Sequence, residues 1–241
     1  MVRHFILMSS SYEQGVRIAL DFKGDQLDEY FILKQIELIK KECGSNVSLS
    51  THFIDAETSS WDSVVSADTF FKAVVVVETV DEFISLVKAD LTLIGLDVAK
   101  YILSKIPCTH LKLQKLTYLC YADYLYATDK KLFKDNIYAY KYGPVVDSVY
   151  QEFKLSGYEE IEDKNIIRIG KIMLPSRSRI LFSSDGLEKL KLIDKSISKY
   201  GDLSATQLVG KTHTEYSPWS ITPQSSIITD DTIKKYHFIE M

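Results

Sequence analysis

"ETVDEFISLVKADLTLIGLDVAKYILSKI", residues 78–106, is where the hydrophobic period of this chain changes. Before it, apolar residues alternate in the manner of half-buried strands; after it, they recur at helical spacing. Inside the stretch, Thr79 and Glu82 form a capping-box pattern that opens a helix. Further on, Leu96, Ala99, Leu103 and Ile106 make one stripe, which Pro107 ends. The change divides the chain into a small α+β module over residues 1–91 and a predominantly helical domain over residues 92–241.

Upstream, "GVRIALDFK" sets Val16, Ile18, Leu20 and Phe22 on one face and Arg17, Asp21 and Lys23 on the other. "HFILM" precedes it, so the two runs predict a hairpin. "LDEYFILKQIELIKKECG" carries Ile32, Ile36, Ile39 and Cys43 at helical spacing, with Gly44 as the stop. "VSLSTHF" predicts a strand with Val47, Leu49, Thr51 and Phe53 inward. The continuous run "KAVVVVE" predicts a central strand. The order is ββαββα, interrupted by the long connector "DAETSSWDSVVSADTFF", which has no clear period.

Downstream, Thr109 caps "HLKLQKLTYLCYADYLYATD", where Leu113, Leu116, Cys120, Tyr124 and Ala127 form the stripe and Lys112 and Lys115 face away. "NIYAYKY" reads as a short strand leading into "GPVVDSVYQEF". There Gly143 frees the turn, Pro144 suits a first helical position, and Val149, Tyr150 and Phe153 face inward until Gly157. "NIIRIGKIML" and "SRILF" predict a small hairpin. Ser183 or Ser184 caps a helix with Leu187, Leu190, Ile193 and Ile197 inward, ended by Gly201. "LSATQLVGKTH" and the Thr229-capped "DDTIKKYHF" complete the domain.

Composition excludes several function classes. Of 241 residues, 46% are hydrophobic and 26% charged, ordinary for a globular protein. No apolar run approaches the roughly 18 residues that span a bilayer. Cys43, Cys108 and Cys120 are an odd number at unrelated spacings, which implies no disulfide framework and a cytoplasmic setting. The net charge of −4 is unevenly divided: residues 1–91 are acidic and residues 92–241 slightly basic. Neither part is basic enough for a phosphate-binding surface, so no nucleic-acid partner is expected.

Candidate chemistry is sparse. His213, beside Glu215 and Tyr216 in "GKTHTEYSPWS", is the best placed acid–base group, yet no nucleophile elbow accompanies it. The plainer reading has His213 bonded locally at a helix end while Trp219 fills the core. Cys108, His110 and Cys120 lack the paired spacing of a structural zinc site. No phosphate-loop motif occurs. No catalytic residue, cofactor or metal is therefore assigned. The many tyrosines between 118 and 158 suit packing and protein recognition equally.

Taken in order, "VAKYIL", "LKLQKLTYLCYADYL", "KLFKDNIYAYKYGPVVDSVYQEF", "THTEYSPWS" and "ITDDTIKKY" resemble the Panacea domain, also described as SocA-like or phage-associated, over residues 95–237. Family members often carry Trp where this chain has Tyr140, a conservative aromatic change. The resemblance leaves residues 1–91 unaccounted for. It implies a helical domain found in bacteria and their mobile genetic elements that acts as an antitoxin. Its relatives bind and neutralise a toxin encoded by an adjacent gene, and at least one instead delivers its toxin to a protease. No catalytic residues transfer. On this footing Tyr140, Tyr142, Gly143, Pro144, His213 and Trp219 are the candidate partner-binding residues; a homo-oligomer is compatible, and no membrane partner is expected.

Overall fold

The alternating segments form one four-stranded sheet. Val2–Ser11 (β1) and Val16–Gly24 (β2) are an antiparallel hairpin, Ser50–Ala56 (β3) pairs antiparallel with β1, and Val74–Val77 (β4) pairs parallel with β2. The strand order is β3-β1-β2-β4. α-Helices Glu29–Cys43 (α1) and Trp61–Ala67 (α2) connect β2 to β3 and β3 to β4, and Val80–Leu91 (α3) follows β4. The structure is a computed structural model and describes residues 1–11, 15–24, 26–45, 47–161 and 174–241. It divides into two compact units, Met1–Leu91 and Thr92–Met241.

In the first unit the period-2 alternation builds a core on each face of the sheet. Phe5, Leu7, Ile18 and Leu20 pack with Ile32 and Ile39 of α1 and with Phe83, Ile84 and Val87 of α3. Ile6, Met8 and Ala19 pack on the other face with Val64 of α2 and with Phe71. α1 starts where the Asp28 side chain accepts the Phe31 N–H, satisfying one of the unpaired first-turn donors. The connector with no clear period holds α2, capped in the same way by Ser60, and a 3₁₀ turn at Thr69–Phe71.

Two expectations fail here. The valine run is an edge strand, not a central one. It is continuously apolar because Val74 enters one core and Val77 the other, while Val75 stays 45% exposed. Thr51 and Phe53 are on the expected face but not inside: β3 is the opposite edge, and Phe53 is 67% exposed.

The second unit is assembled around His110–Thr128 (α5). Gly95–Lys105 (α4), Gly186–Tyr200 (α8), Ala205–Thr212 (α9) and Asp230–Tyr236 (α10) pack against it, as do Ile137–Tyr140 (β5) with Gly143–Val146 (β6) and Asp147–Phe153 (α6); Leu174–Leu181 (α7) bridges α4 and α8. Thr109 accepts the Lys112 N–H at the start of α5, and Asp129 ends it in the left-handed conformation. Every residue from Leu113 to Ala122 is buried, so α5 is the axis of the core and not an amphipathic surface helix. Among the described residues no helix is long and apolar enough to cross a membrane.

Four readings change in this unit. Lys115 does not face away: it has no solvent exposure. "SRILF" lies in α7 and in the residue that follows it, not in a strand, and residues 165–173 of the expected first arm fall outside the described residues. α8 begins after Asp185, at φ 56°, and not after a serine cap; Leu187 is 77% exposed. Pro144 is the second residue of β6, and the helix starts three residues later at Asp147.

Candidate functional site

The YGP stretch is a tight hairpin turn. Tyr140 pairs with Gly143 across Lys141–Tyr142, and Gly143 takes φ 104°, a value open to glycine at little cost. Pro144 is tolerated in a strand for a local reason. Its partner is Ala139, whose N–H donates to Ser226 O (2.9 Å) and whose carbonyl accepts from Ser225 N (2.8 Å). Both Ala139 groups therefore point away from β6, and the missing proline N–H breaks no ladder bond.

α5 supports the turn from beneath with two polar side chains. The Gln114 carboxamide oxygen accepts the Val146 N–H at 2.9 Å, and its nitrogen donates back to the Val146 carbonyl at 3.4 Å. One side chain thus does for β6 what a neighbouring strand would do. The Lys115 ammonium donates to the Pro144 carbonyl at 2.8 Å. A Cβ on Gly143 would lie 2.6 Å from Lys115 Nζ and 3.1 Å from Thr212 Oγ1, so glycine is required by space as well as by φ. Burial pulls the Lys115 pKa down to about 7, against the opposing attraction of Glu240. At neutral pH the amine is poised between its charged and neutral forms.

The other wall is the loop after α9. The Trp219 indole N–H donates to the Tyr140 carbonyl at 2.8 Å, and its ring stacks on His213 with centroids 3.6 Å apart and planes 6° from parallel. His213 is the residue on which α9 ends, its N–H bonded to Val209 O. Desolvation, then the nearby Lys115, holds its pKa below the usual imidazole value, against a backbone hydrogen bond at Tyr142. Its Nε2 is buried without a partner. An imidazole pressed flat on an indole, with no carboxylate orienting it among the described residues, is a packing group rather than a general base.

Five of the six expected residues, Tyr140, Gly143, Pro144, His213 and Trp219, therefore meet in one knot around Lys115. The sixth, Tyr142, stands at the tip, 62% exposed. From the knot a half-buried aromatic row runs outward: Tyr138 stacks on Tyr140 (5.8 Å), Tyr140 meets Tyr150 edge-on (6.0 Å), and Tyr150 meets His110 (5.8 Å).

Residue reading missed Gln114 and Lys115. A signal was present: Leu111, Lys115, Tyr118 and Ala122 form a second stripe at helical spacing, three of its four members apolar or aromatic. A further buried ionic chain was also missed. His237 lies 2.8 Å from both Asp123 and Glu240, and the Tyr118 hydroxyl donates to Glu240. Burial pulls the His237 pKa down, but the two carboxylates more than offset this and leave it raised. This chain ties the last turn to α5 and is structural.

Residues 113–220 match the family model "Antitoxin SocA-like, Panacea domain". The second unit thus contains a stretch similar to the Panacea domain. The match begins on α5 and ends one residue after Trp219, so it encloses the whole knot. Antitoxin SocA of Caulobacter vibrioides (strain NA1000 / CB15N) is 31% identical over 119 residues, 48% of this chain and 60% of that relative. The chain thus spans about three-fifths of the curated relative it matches. No solved structure matches. Within the matched stretch, Gly143, Lys115 and Trp219 hold the turn, while Tyr142 stands exposed at its tip and the half-buried Tyr138–Tyr150 row runs outward from it.

Proposed function

We propose that this protein is an antitoxin that neutralises a cognate toxin by direct binding in the cytosol, and that the Panacea turn is its contact. The carrying observation is the combination of an exposed Tyr142 with a turn held by the buried Gln114 and Lys115 and the half-buried Trp219. A recognition loop set in advance forfeits little entropy on binding, and tyrosine supplies large contact area through two χ angles. Similarity to a relative named as an antitoxin supports the role, and the packed state of His213 supports binding over catalysis.

The test is co-expression with the product of the adjacent gene. Growth arrest by that product alone and rescue by this protein are expected. Tyr142→Ala should abolish rescue while leaving the fold intact. A neighbour that is harmless alone, or full rescue by Tyr142→Ala, would refute the proposal.

A further inference from the structure

One side of the first unit's sheet is unfinished. β3 is seven residues long and outermost, and among the described residues no strand pairs with its outer side. Its two faces differ. On one, the His52 ring packs against Phe70 and Phe71, with centroids 5.4 and 5.5 Å away. On the other, Phe53 meets Phe5 edge-on at 4.9 Å and is otherwise open. A cleft of about 560 Å³ lies between this face and α1, lined by Phe5, Phe53, Ile32, Leu33 and Ile36 among others. Leu33 is 58% exposed.

A long outer strand ordinarily carries a lysine, a proline or a bulge that discourages pairing. "STHFIDA" has none of these. Its one formal charge, Asp55, is bound by Arg3 of β1 at 2.9 Å. We propose that β3 is the seam of a homodimer, the two copies pairing β3 antiparallel about Phe53 to make one eight-stranded sheet. The order of polar, charged and aromatic residues along β3 makes it complementary to a second copy of itself, and in one register. Centred on Phe53, the strand sets Ser50 against Ala56, Thr51 against Asp55, His52 against Ile54, and Phe53 against its own copy. Each carboxylate meets a hydroxyl, no like charges face each other, and the centre is an aromatic cross-strand pair. Centring on Asp55 would place two carboxylates together, centring on Ile54 would set Asp55 against Phe53, and centring on His52 would leave Asp55 and Ala56 unpaired. The two-fold axis runs normal to the sheet and keeps both α1 helices on the Phe53 face, so that the two clefts open toward each other across the seam.

The alternative occupant, a basic strand from another protein, is separable by salt. Residues 1–91 hold 8 Lys/Arg and 15 Asp/Glu, and 8 − 15 gives −7. Two copies bring like net charge together, so added salt tightens them; a basic strand would be released.

The test is sedimentation velocity on the full chain from about 1 to 100 µM. A rise from 27.6 kDa toward twice that mass is expected, and it should become more complete between about 50 and 500 mM salt. Thr51 is exposed, so both of its charged variants should fold. Thr51→Glu sets like charges against each other twice across the seam and should weaken association about tenfold, whereas Thr51→Lys faces Asp55 and should preserve or tighten it. Phe53→Lys should give a monomer with unchanged circular dichroism. A chain monomeric throughout, dissociation by salt, or equal effects of Thr51→Glu and Thr51→Lys would overturn the proposal.

Discussion

In the second unit a lysine is sealed from solvent while, in the first, a phenylalanine ring stands 67% in solvent. Both invert the usual preference, and the inversions have opposite consequences. A buried polar group must find partners, so Lys115 and Gln114 fix the geometry of everything they touch. An exposed apolar group has no such obligation, so Phe53 and Leu33 mark a layer still lacking its cover. Precision in this molecule is built from inside the second unit, and incompleteness is left at the edge of the preceding sheet.

The largest effect should come from Gly143→Ala, which adds a left-handed strain and a contact with Lys115. A loss of about 3 kcal/mol in urea unfolding is expected. Lys115→Met on that background should restore part of it; strict additivity of the two changes would show that the close approach is not the source. Gln114→Leu should cost about 2 kcal/mol, because it strands a buried N–H and a buried carbonyl at Val146. An unchanged midpoint would mean that β6 needs no such partner.

The next comparison is with proton activity. Lys115 binds its proton more weakly when folded than when unfolded, so between pH 7 and its ordinary value the unfolded chain holds more protons. Its contribution to stability therefore rises with pH across that window. Measured against wild type, Lys115→Met should be at its best near pH 6 and lose ground toward pH 9. A pH-independent difference would mean that the amine titrates normally.

Smaller changes sharpen the contrast between wall and tip. Trp219→Phe forfeits the bond to the Tyr140 carbonyl and should cost about 1 kcal/mol. Tyr142→Ala should move stability by less than about 0.5 kcal/mol while removing toxin protection. A Tyr142 variant as unstable as the Trp219 variant would show the tip to be part of the scaffold.

Much of this was legible in the residues. Alternation in "GVRIALDFK" and helical spacing after Leu93 specify the type of element, and the structure has a strand at the first and helices after the second. Thr109, Thr229 and Gly44 end or start helices through backbone groups that local sequence can specify. Lys115 was misread because a lysine is presumed solvated, and α5 is buried on all sides, which erases the one-sided pattern that would have placed it. Pro144 was misread because its fitness for β6 depends on Ala139 turning its groups toward Ser225 and Ser226, more than 80 residues away. Phe53 was assigned to the right face and the valine run to a strand, but a strand's rank in its sheet is set by pairing that its own sequence does not record. At the candidate site, the six residues were found as a set; what holds them together was not.

The two tryptophans, Trp61 and Trp219, fall one in each unit. Indole emission is quenched by a protonated imidazole in contact with it, and Trp219 lies flat on His213. With Trp61 replaced by Phe, the fluorescence of the chain becomes a single-site gauge of that ring pair. Titration of His213, or a ligand seating itself on the neighbouring turn, would register as a change in brightness without any dye.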